Sequence, residues 1–227
     1  MMIDMSTQTN GYTIEQYKAN LLEYKIGACE YNNGYMLPLS SMMPVKLDGK
    51  VGLRAITIVL DFDGSSMNEI TTNISNFTAM LHDGVELVLP DGYHYTCVYD
   101  DASEPEEKAP WIMQAEYRFY GFRHGALKTH TLSASGSISV EGNYKAAAIF
   151  KLTPATGTTE MTVNGIKVKN ISGTVVVDGM NKTVMQNGVN KFADAEMTEF
   201  PYLSKGDNSI TIAGNGSVEI SYYPIYL

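Results

Sequence analysis

Apolar and polar residues alternate through most of this chain, and the period changes clearly only once. In "LRAITIVLDF", Ile56, Ile58, Leu60 and Phe62 share one face, the period-2 pattern of a half-buried strand. The next stretch, "SSMNEITTNISNFTAMLHDG", switches to helical spacing, with Ile70, Ile74, Phe77 and Leu81 on one stripe. Ser66 is placed to cap that helix with Glu69 reaching back, and Asp83-Gly84 ends it, which predicts one amphipathic helix over about 66–82. Three strands follow: "VELVLP", "YHYTCVYD" and "APWIMQAEYRFYGFRH". In the last, Trp111, Met113, Ala115, Tyr117 and Phe119 point one way and Gln114, Glu116 and Arg118 the other. The acidic "DDASEPEEKAP" before it reads as a solvated connection. Upstream, Met1 to Tyr12 is polar and reads as mobile. "TIEQYKANLLEY" has a capping-box pattern from Thr13 to Gln16 and predicts a short helix. The Pro, Gly, Asn and Ser residues between Tyr31 and Val51 predict an extended arm or loop.

After Ser135 almost everything is strand and turn. Asn164-Gly165 between Val163 and Ile166 is a strong hairpin signal, and "GTVVVDGMNK" supplies a strand running into Asp178-Gly179. The closing runs, Ser209–Ala213 and Ser217–Tyr222, alternate around Gly214-Asn215-Gly216 and read as a final hairpin. The fold class is therefore mainly β. The chain divides into an N-terminal β-rich domain with one helix, residues 1–134, and a C-terminal jelly-roll β-sandwich, residues 135–227. The small, polar "THTLSASGSISVEGNY" marks the change, with the boundary near Ser135.

Composition narrows the function. The 227 residues are 44% hydrophobic and 18% charged, enough for a real core. Acids outnumber bases, 25 to 16, for a net charge of −9, which argues against tight nucleic-acid binding. The acidity is uneven, −8 through Ser135 and −1 after it. No basic-then-apolar leader opens the chain, and no apolar run reaches membrane-spanning length. Cys29 and Cys97, the only cysteines, are too few for a disulfide scaffold or a zinc site and read as buried small hydrophobes in a reducing cytosol.

One motif raises a catalytic alternative. "ITIVLDFDGS" resembles the first motif of haloacid-dehalogenase-type phosphatases, in which the positions of Asp61 and Asp63 are nucleophile and general acid/base and help hold Mg²⁺. That family also needs a later Ser/Thr, a Lys and a further acidic pair on parallel strands alternating with helices. The nearly all-β chain downstream does not supply these. Asp and Gly at a strand end are also ordinary turn residues. His82, His94, His124 and His130 show no metal-ligand spacing. The 15 tyrosines and one tryptophan could stack sugars, so a carbohydrate-binding β-sandwich adhesin or receptor-binding protein is a second alternative. The 13 methionines read as fillers of a core or a protein contact. No catalytic, cofactor-binding or metal-ligating residue is assigned, no cofactor is implied, and the chain is not read as an enzyme.

The ending carries a more specific resemblance. Val175 to Val177, Asp178-Gly179, Asn187-Gly188, then Phe200-Pro201, Leu203, Gly206 and Asn208 and a last alternating pair resemble the C-terminal domain of the distal tail proteins (Dit) of long-tailed bacteriophages. The preceding half is similar to that family's ring-forming domain through a strand, a capped helix and long strands ending "YRFYGFRH". The resemblance implies a structural virion protein of the phage tail tip or baseplate, assembled in the host cytoplasm. It would be a homo-hexameric hub ring built by the N-terminal domain, with galectin-like sandwiches projecting outward. Its implied partners are further copies of itself, the tail tube protein, tail-tip or tail-associated proteins and a receptor-binding protein. DNA would pass through the centre without being held, and no membrane is involved. No large insertion interrupts the C-terminal domain, so an added carbohydrate-binding module is not implied.

Overall fold

The structure, a computed structural model, describes residues 2–5, 12–36, 43 and 45–227. These divide into two units, Met1–Arg123 with Leu227, and His124–Tyr226.

The first unit contains β1 (Met2–Asp4), α1 (Tyr12–Glu15), β2 (Ala19–Ile26), β3 (Tyr31–Met36), β4 (Val45–Val51), β5 (Arg54–Asp63), α2 (Met67–Met80), β6 (Val85–Val88), β7 (His94–Ala102), β8 (Glu106–Ala109) and β9 (Ile112–His124). Its main sheet runs β1-β6-β7-β9-β5-β2, with β8 added on β9. The alternation in β5 is real: Ile56, Ile58, Leu60 and Phe62 are all fully buried. Opposite them, α2 inserts Ile70 and Phe77 and is followed by Leu81 at its C-cap, each fully buried. Ser66 Oγ accepts from the Glu69 N–H at 3.3 Å and caps the helix. Glu69 reaches back past the cap, accepting from Ser65 N–H at 2.8 Å and Ser65 Oγ at 2.6 Å. It also pairs with Lys18 Nζ at 2.7 Å, which ties the helix start to the turn before β2.

The Lys18 hydrogen bond, then those from Ser65, lower the Glu69 carboxyl to about 2 from its ordinary 4.5. A depressed folded-state pKa contributes stability that is present above about pH 4.5 and lost as pH falls through about 2. Glu69→Gln is therefore expected to be less stable than the parent at neutral pH, with the gap closing across that window in urea melts. A gap independent of pH would show that the carboxylate contributes nothing.

Several local expectations are corrected. The predicted helix at Thr13 is the single turn α1, and "ANLLEYKI" continues as strand β2. A β-bulge between Leu21 and Glu23 shifts the phase of β2 by one residue. That shift puts Tyr17, Leu21 and Tyr24 against the core at a spacing that mimics a helix. The polar opening contributes β1, parallel to β6, with Ile3 fully buried; residues 1 and 6–11 of that stretch lie outside the described residues. The arm expected from Tyr31 to Val51 is a two-stranded antiparallel ribbon of β3 and β4, while 37–42 and 44 lie outside the described residues. Trp111 is not on the strand face. It sits in the β8–β9 turn at φ 67°, about half exposed. The acidic connection is shorter than expected because Glu106–Ala109 pairs with β9.

The second unit contains β10 (Lys128–Leu132), β11 (Gly136–Val140), β12 (Ala146–Pro154), β13 (Met161–Val163), β14 (Ile166–Val168), β15 (Val175–Asp178), β16 (Thr183–Gln186), β17 (Val189–Asn190), β18 (Ala195–Glu196), β19 (Tyr202–Leu203), β20 (Gly206–Ile210), β21 (Ile212–Ala213) and β22 (Gly216–Tyr222). One sheet runs β10-β22-β12-β15-β16-β17, with β19 on β12; a second runs β18-β14-β13-β21, and β11 pairs with β20. Phe150, Leu152, Val163, Val168, Val177 and Ile220 are among the residues of a single core cluster. The Asn164-Gly165 hairpin forms as predicted, both residues at positive φ (49° and 79°) between β13 and β14.

The final runs are not a hairpin. β21 pairs with β13, whereas β22 lies between β10 and β12, so Gly214-Asn215-Gly216 carries the chain from one sheet to the other. A Cβ on Gly216 would sit 2.3 Å from the Thr153 carbonyl oxygen, which explains why glycine stands at that crossing.

The division into units falls upstream of Ser135 because β10 pairs along its whole length with β22 and His124 bridges to Ile225. A fragment starting at His124 is therefore expected to melt higher than one starting at Ser135, which leaves one edge of β22 open. Equal melting temperatures for the two fragments would show that β10 adds nothing.

Candidate assembly surfaces

The outward side of the β2–β5–β9–β8 sheet is built by the same alternation that buries Ile58 and Tyr117. Register sets Glu106, Gln114 and Asp61 in one cross-strand row and Glu116, Val59 and Glu23 in the next. A third row holds Arg118, Thr57 and Lys25. Arg118 pairs with Glu116 and Lys25 with Glu23, each at 3.1 Å. A cleft of about 360 Å³ on this face is lined by Leu22, Glu23, Glu104, Glu106, Gln114 and Glu116, among others.

The Asp61-x-Asp63 motif lies here. Asp61 accepts from Gln114 Nε2 at 3.2 Å, and Asp63 is exposed at the strand end, where its N–H donates to the Lys18 carbonyl. The strand partners of β5 are both antiparallel, β2 and β9. The parallel neighbours that the phosphatase geometry needs are not at that strand end. No group of three or more His, Cys, Asp or Glu among the described residues is arranged to hold a metal ion.

The histidines each have local company. His82 Nδ1 lies 3.1 Å from Asp83, and His94 Nδ1 2.6 Å from Glu86. His124 packs edge-on to Tyr223, and His130 stacks on Tyr222. Cys97 is buried, and burial pushes its thiol up to about 12, which suppresses the thiolate.

Charge is more unequal between the units than between the sequence halves. Through Arg123 there are 17 acids and 8 Lys/Arg, a net of −9; from His124 onward there are 8 of each. The first unit also carries apolar residues on its ribbon: Tyr31, Tyr35, Met36 and Val45 are all exposed. Exposed apolar side chains on one element are characteristic of contact surfaces.

In the second unit the signature residues of the ending meet one another. The Gly179 N–H donates to the Ala148 carbonyl at 2.8 Å, and the Ala148 N–H donates to the Pro201 carbonyl at 3.0 Å. Leu203 is buried and pairs with Ala146, while Phe200 packs partly into the core. Asn208 closes the turn that follows. Its Oδ1 accepts from Ser204 N–H at 2.9 Å, and its Nδ2 donates to the carbonyls of Ser204 at 2.7 Å and Gly206 at 2.9 Å. Gly206 itself is at φ 80°, so Gly-x-Asn is the local code for this turn.

Residues 141–226, which hold this constellation, match the family model of the siphovirus-type tail component, C-terminal domain. The fold extends the likeness over the rest of the chain. SPP1 Dit, described as a paradigm of the hub adsorption apparatus in Gram-positive infecting phages, aligns with a TM-score of 0.74 at 14% identity, covering 94% of this chain and 96% of that one. Chains of the phage p2 baseplate in its activated conformation align at 0.57 with strontium and 0.59 with calcium, at 9% and 10% identity. Both alignments cover 91% of this chain and 90% of the other. No curated protein matches the sequence. Residues 141–226 are therefore a siphovirus-type tail component domain, on a chain whose fold is that of phage tail-hub and baseplate proteins. Within that class the matched domain and the fold of the chain are both similar to those of SPP1 Dit. No helix among the described residues is long and apolar enough to cross a membrane.

Proposed function

We propose that this protein is the hub ring of a phage tail tip, joining the tail tube to the host-recognition apparatus. The observation that carries the reading is the Dit-family C-terminal domain on a chain whose whole fold is similar to SPP1 Dit. The protein works by assembly, not by catalysis. Six copies associate through the first unit, whose exposed Tyr31, Tyr35, Met36 and Val45 supply apolar contact area for a heterologous, closing interface. The tail tube protein sits on one side, and tail-tip or receptor-binding proteins on the other.

The same reading assigns the charge. DNA leaving the tail must pass without being held, and clustered Lys and Arg would retain phosphate by counterion release. The net −9 of the first unit and the carboxylates of its open sheet face suit a repelling wall. The acidic stretch from Asp100 to Glu107 forms part of that wall or its rim. Mass measurement of the purified protein in solution, alone and with tail neighbours, tests the assembly. A hexamer is expected, and a strict monomer under all these conditions would remove the hub reading.

A further inference from the structure

Of the eight lysines of the second unit, five are paired, two lie over aromatic rings, and Lys205 does neither among the described residues. Lys128, Lys151, Lys167, Lys169 and Lys191 each pair with a carboxylate. Among the described residues Lys145 and Lys182 pair with none and instead lie over aromatic rings. Lys145 Nζ is 5.8 Å from the Tyr202 ring centre, and Lys182 Nζ is 5.4 Å from that of Phe200. Both rings come from one short segment, Glu199–Tyr202, and Phe192 stacks on Phe200 at 6.0 Å. Tyr202 and Phe192 are about half exposed. The alternation of β19 explains Tyr202, since burying Leu203 against β12 turns its neighbour outward. Clefts of about 400 Å³ and about 710 Å³ lie on this surface, and Glu199, Phe200 and Tyr202 line both. Glu199 has no ion-pair partner among the described residues, and the wall of the smaller cleft adds Asn164, Thr198 and Ser204.

We propose that this surface of the C-terminal unit is a binding site for an anionic saccharide. A pyranose ring presents an apolar C–H face to an exposed aromatic ring and hydroxyls around its rim. Tyr202, about half exposed, offers the ring face, Phe200 braces the surface beneath Lys182, and Glu199, Asn164 and Ser204 offer hydrogen-bonding groups at the edges. Lys145 and Lys182 are two ammonium groups that form no ion pair among the described residues, on a unit whose other cations are mostly paired, and with Glu199 alone as the carboxylate of their cleft they leave it a net positive charge. They fit a carboxylate or phosphate substituent on the sugar. The polar walls favour a hydroxyl-rich ligand over an apolar peptide anchor, which needs a deep hydrophobic pocket. The site goes beyond the hub role and stands on the second unit alone, so ring assembly and saccharide binding succeed or fail separately.

Calorimetric titration of the full chain tests it with four probes: an oligogalacturonide, a glycosylated glycerol-phosphate oligomer, a neutral malto-oligosaccharide and a polyglutamate peptide. Binding of one or both anionic saccharides is expected, weakening with added salt, and the pair separates carboxylate from phosphate as the recognised group. Tyr202→Ala and Lys145→Glu are each expected to weaken that binding about tenfold or more, while Lys151→Gln leaves it unchanged. Three outcomes overturn the proposal: no saccharide bound at millimolar concentration, binding indifferent to Tyr202→Ala and Lys145→Glu, or polyglutamate bound in place of the saccharides.

Discussion

Gly179→Ala is expected to unfold or aggregate the second unit, although it adds a single methyl group. A Cβ at that position would lie 2.1 Å from the Pro201 carbonyl oxygen and 2.6 Å from that of Ala148. Both atoms are backbone, and both belong to the hydrogen bonds that join the end of β15 to β12 and β12 to the segment before β19. No side-chain rotation relieves the clash, so at least one of those connections must break. We expect a loss of about 4 kcal/mol or more, the range in which single substitutions are exceptional, against a domain stability of roughly 5–15 kcal/mol. Urea denaturation of the isolated unit is the measurement, with Met180→Ala, next door and exposed, as the neutral control. A Gly179→Ala unit as stable as its parent would show that the Asp-Gly signature has another origin than this close approach.

Phe77→Ala is the corresponding lesion in the first unit. Phe77 is fully buried, and its ring meets Tyr17 at 5.7 Å, Phe62 at 5.8 Å and Tyr117 at 5.1 Å, all edge-on. It is the joint between α2 and the main sheet. Tyr117 is itself buried, which pushes its phenol up to about 12, and its hydroxyl lies 3.3 Å from Thr78 Oγ1 on the same helix. Truncating Phe77 is expected to cost about 3–5 kcal/mol, the usual cost of emptying a large aromatic site. The second unit should keep its own melting transition. Loss of both transitions together would show that the two units do not unfold independently.

Features whose partners are close in sequence were readable without a structure. The strand Ile56–Phe62, the helix from Ser66 and the Asn164-Gly165 hairpin all rest on local periodicity, caps or turn residues. Pairing over distance was not readable. Alternation says that Ser209–Ala213 and Ser217–Tyr222 are strands, but not that their partners are β11, β13, β10 and β12. The bulge in β2 concealed a strand behind helical spacing, and the ribbon of β3 and β4 is held by backbone pairing between segments rich in loop residues. The Dit signature was legible because its residues are turn-formers in fixed order. Their physical purpose, the meeting of Gly179, Ala148 and Pro201, required coordinates. The aromatic and lysine surface was beyond sequence reasoning, since Lys145, Lys182, Phe192 and Tyr202 are brought together only by the fold of the second unit.

The most direct test of the hub assignment is an electron cryomicroscopy reconstruction of the protein assembled with its tail neighbours. The account predicts a six-fold ring in which the first unit surrounds a net-negative passage and the sandwiches face outward. A passage lined by clustered Lys and Arg, or by the second unit, would contradict it.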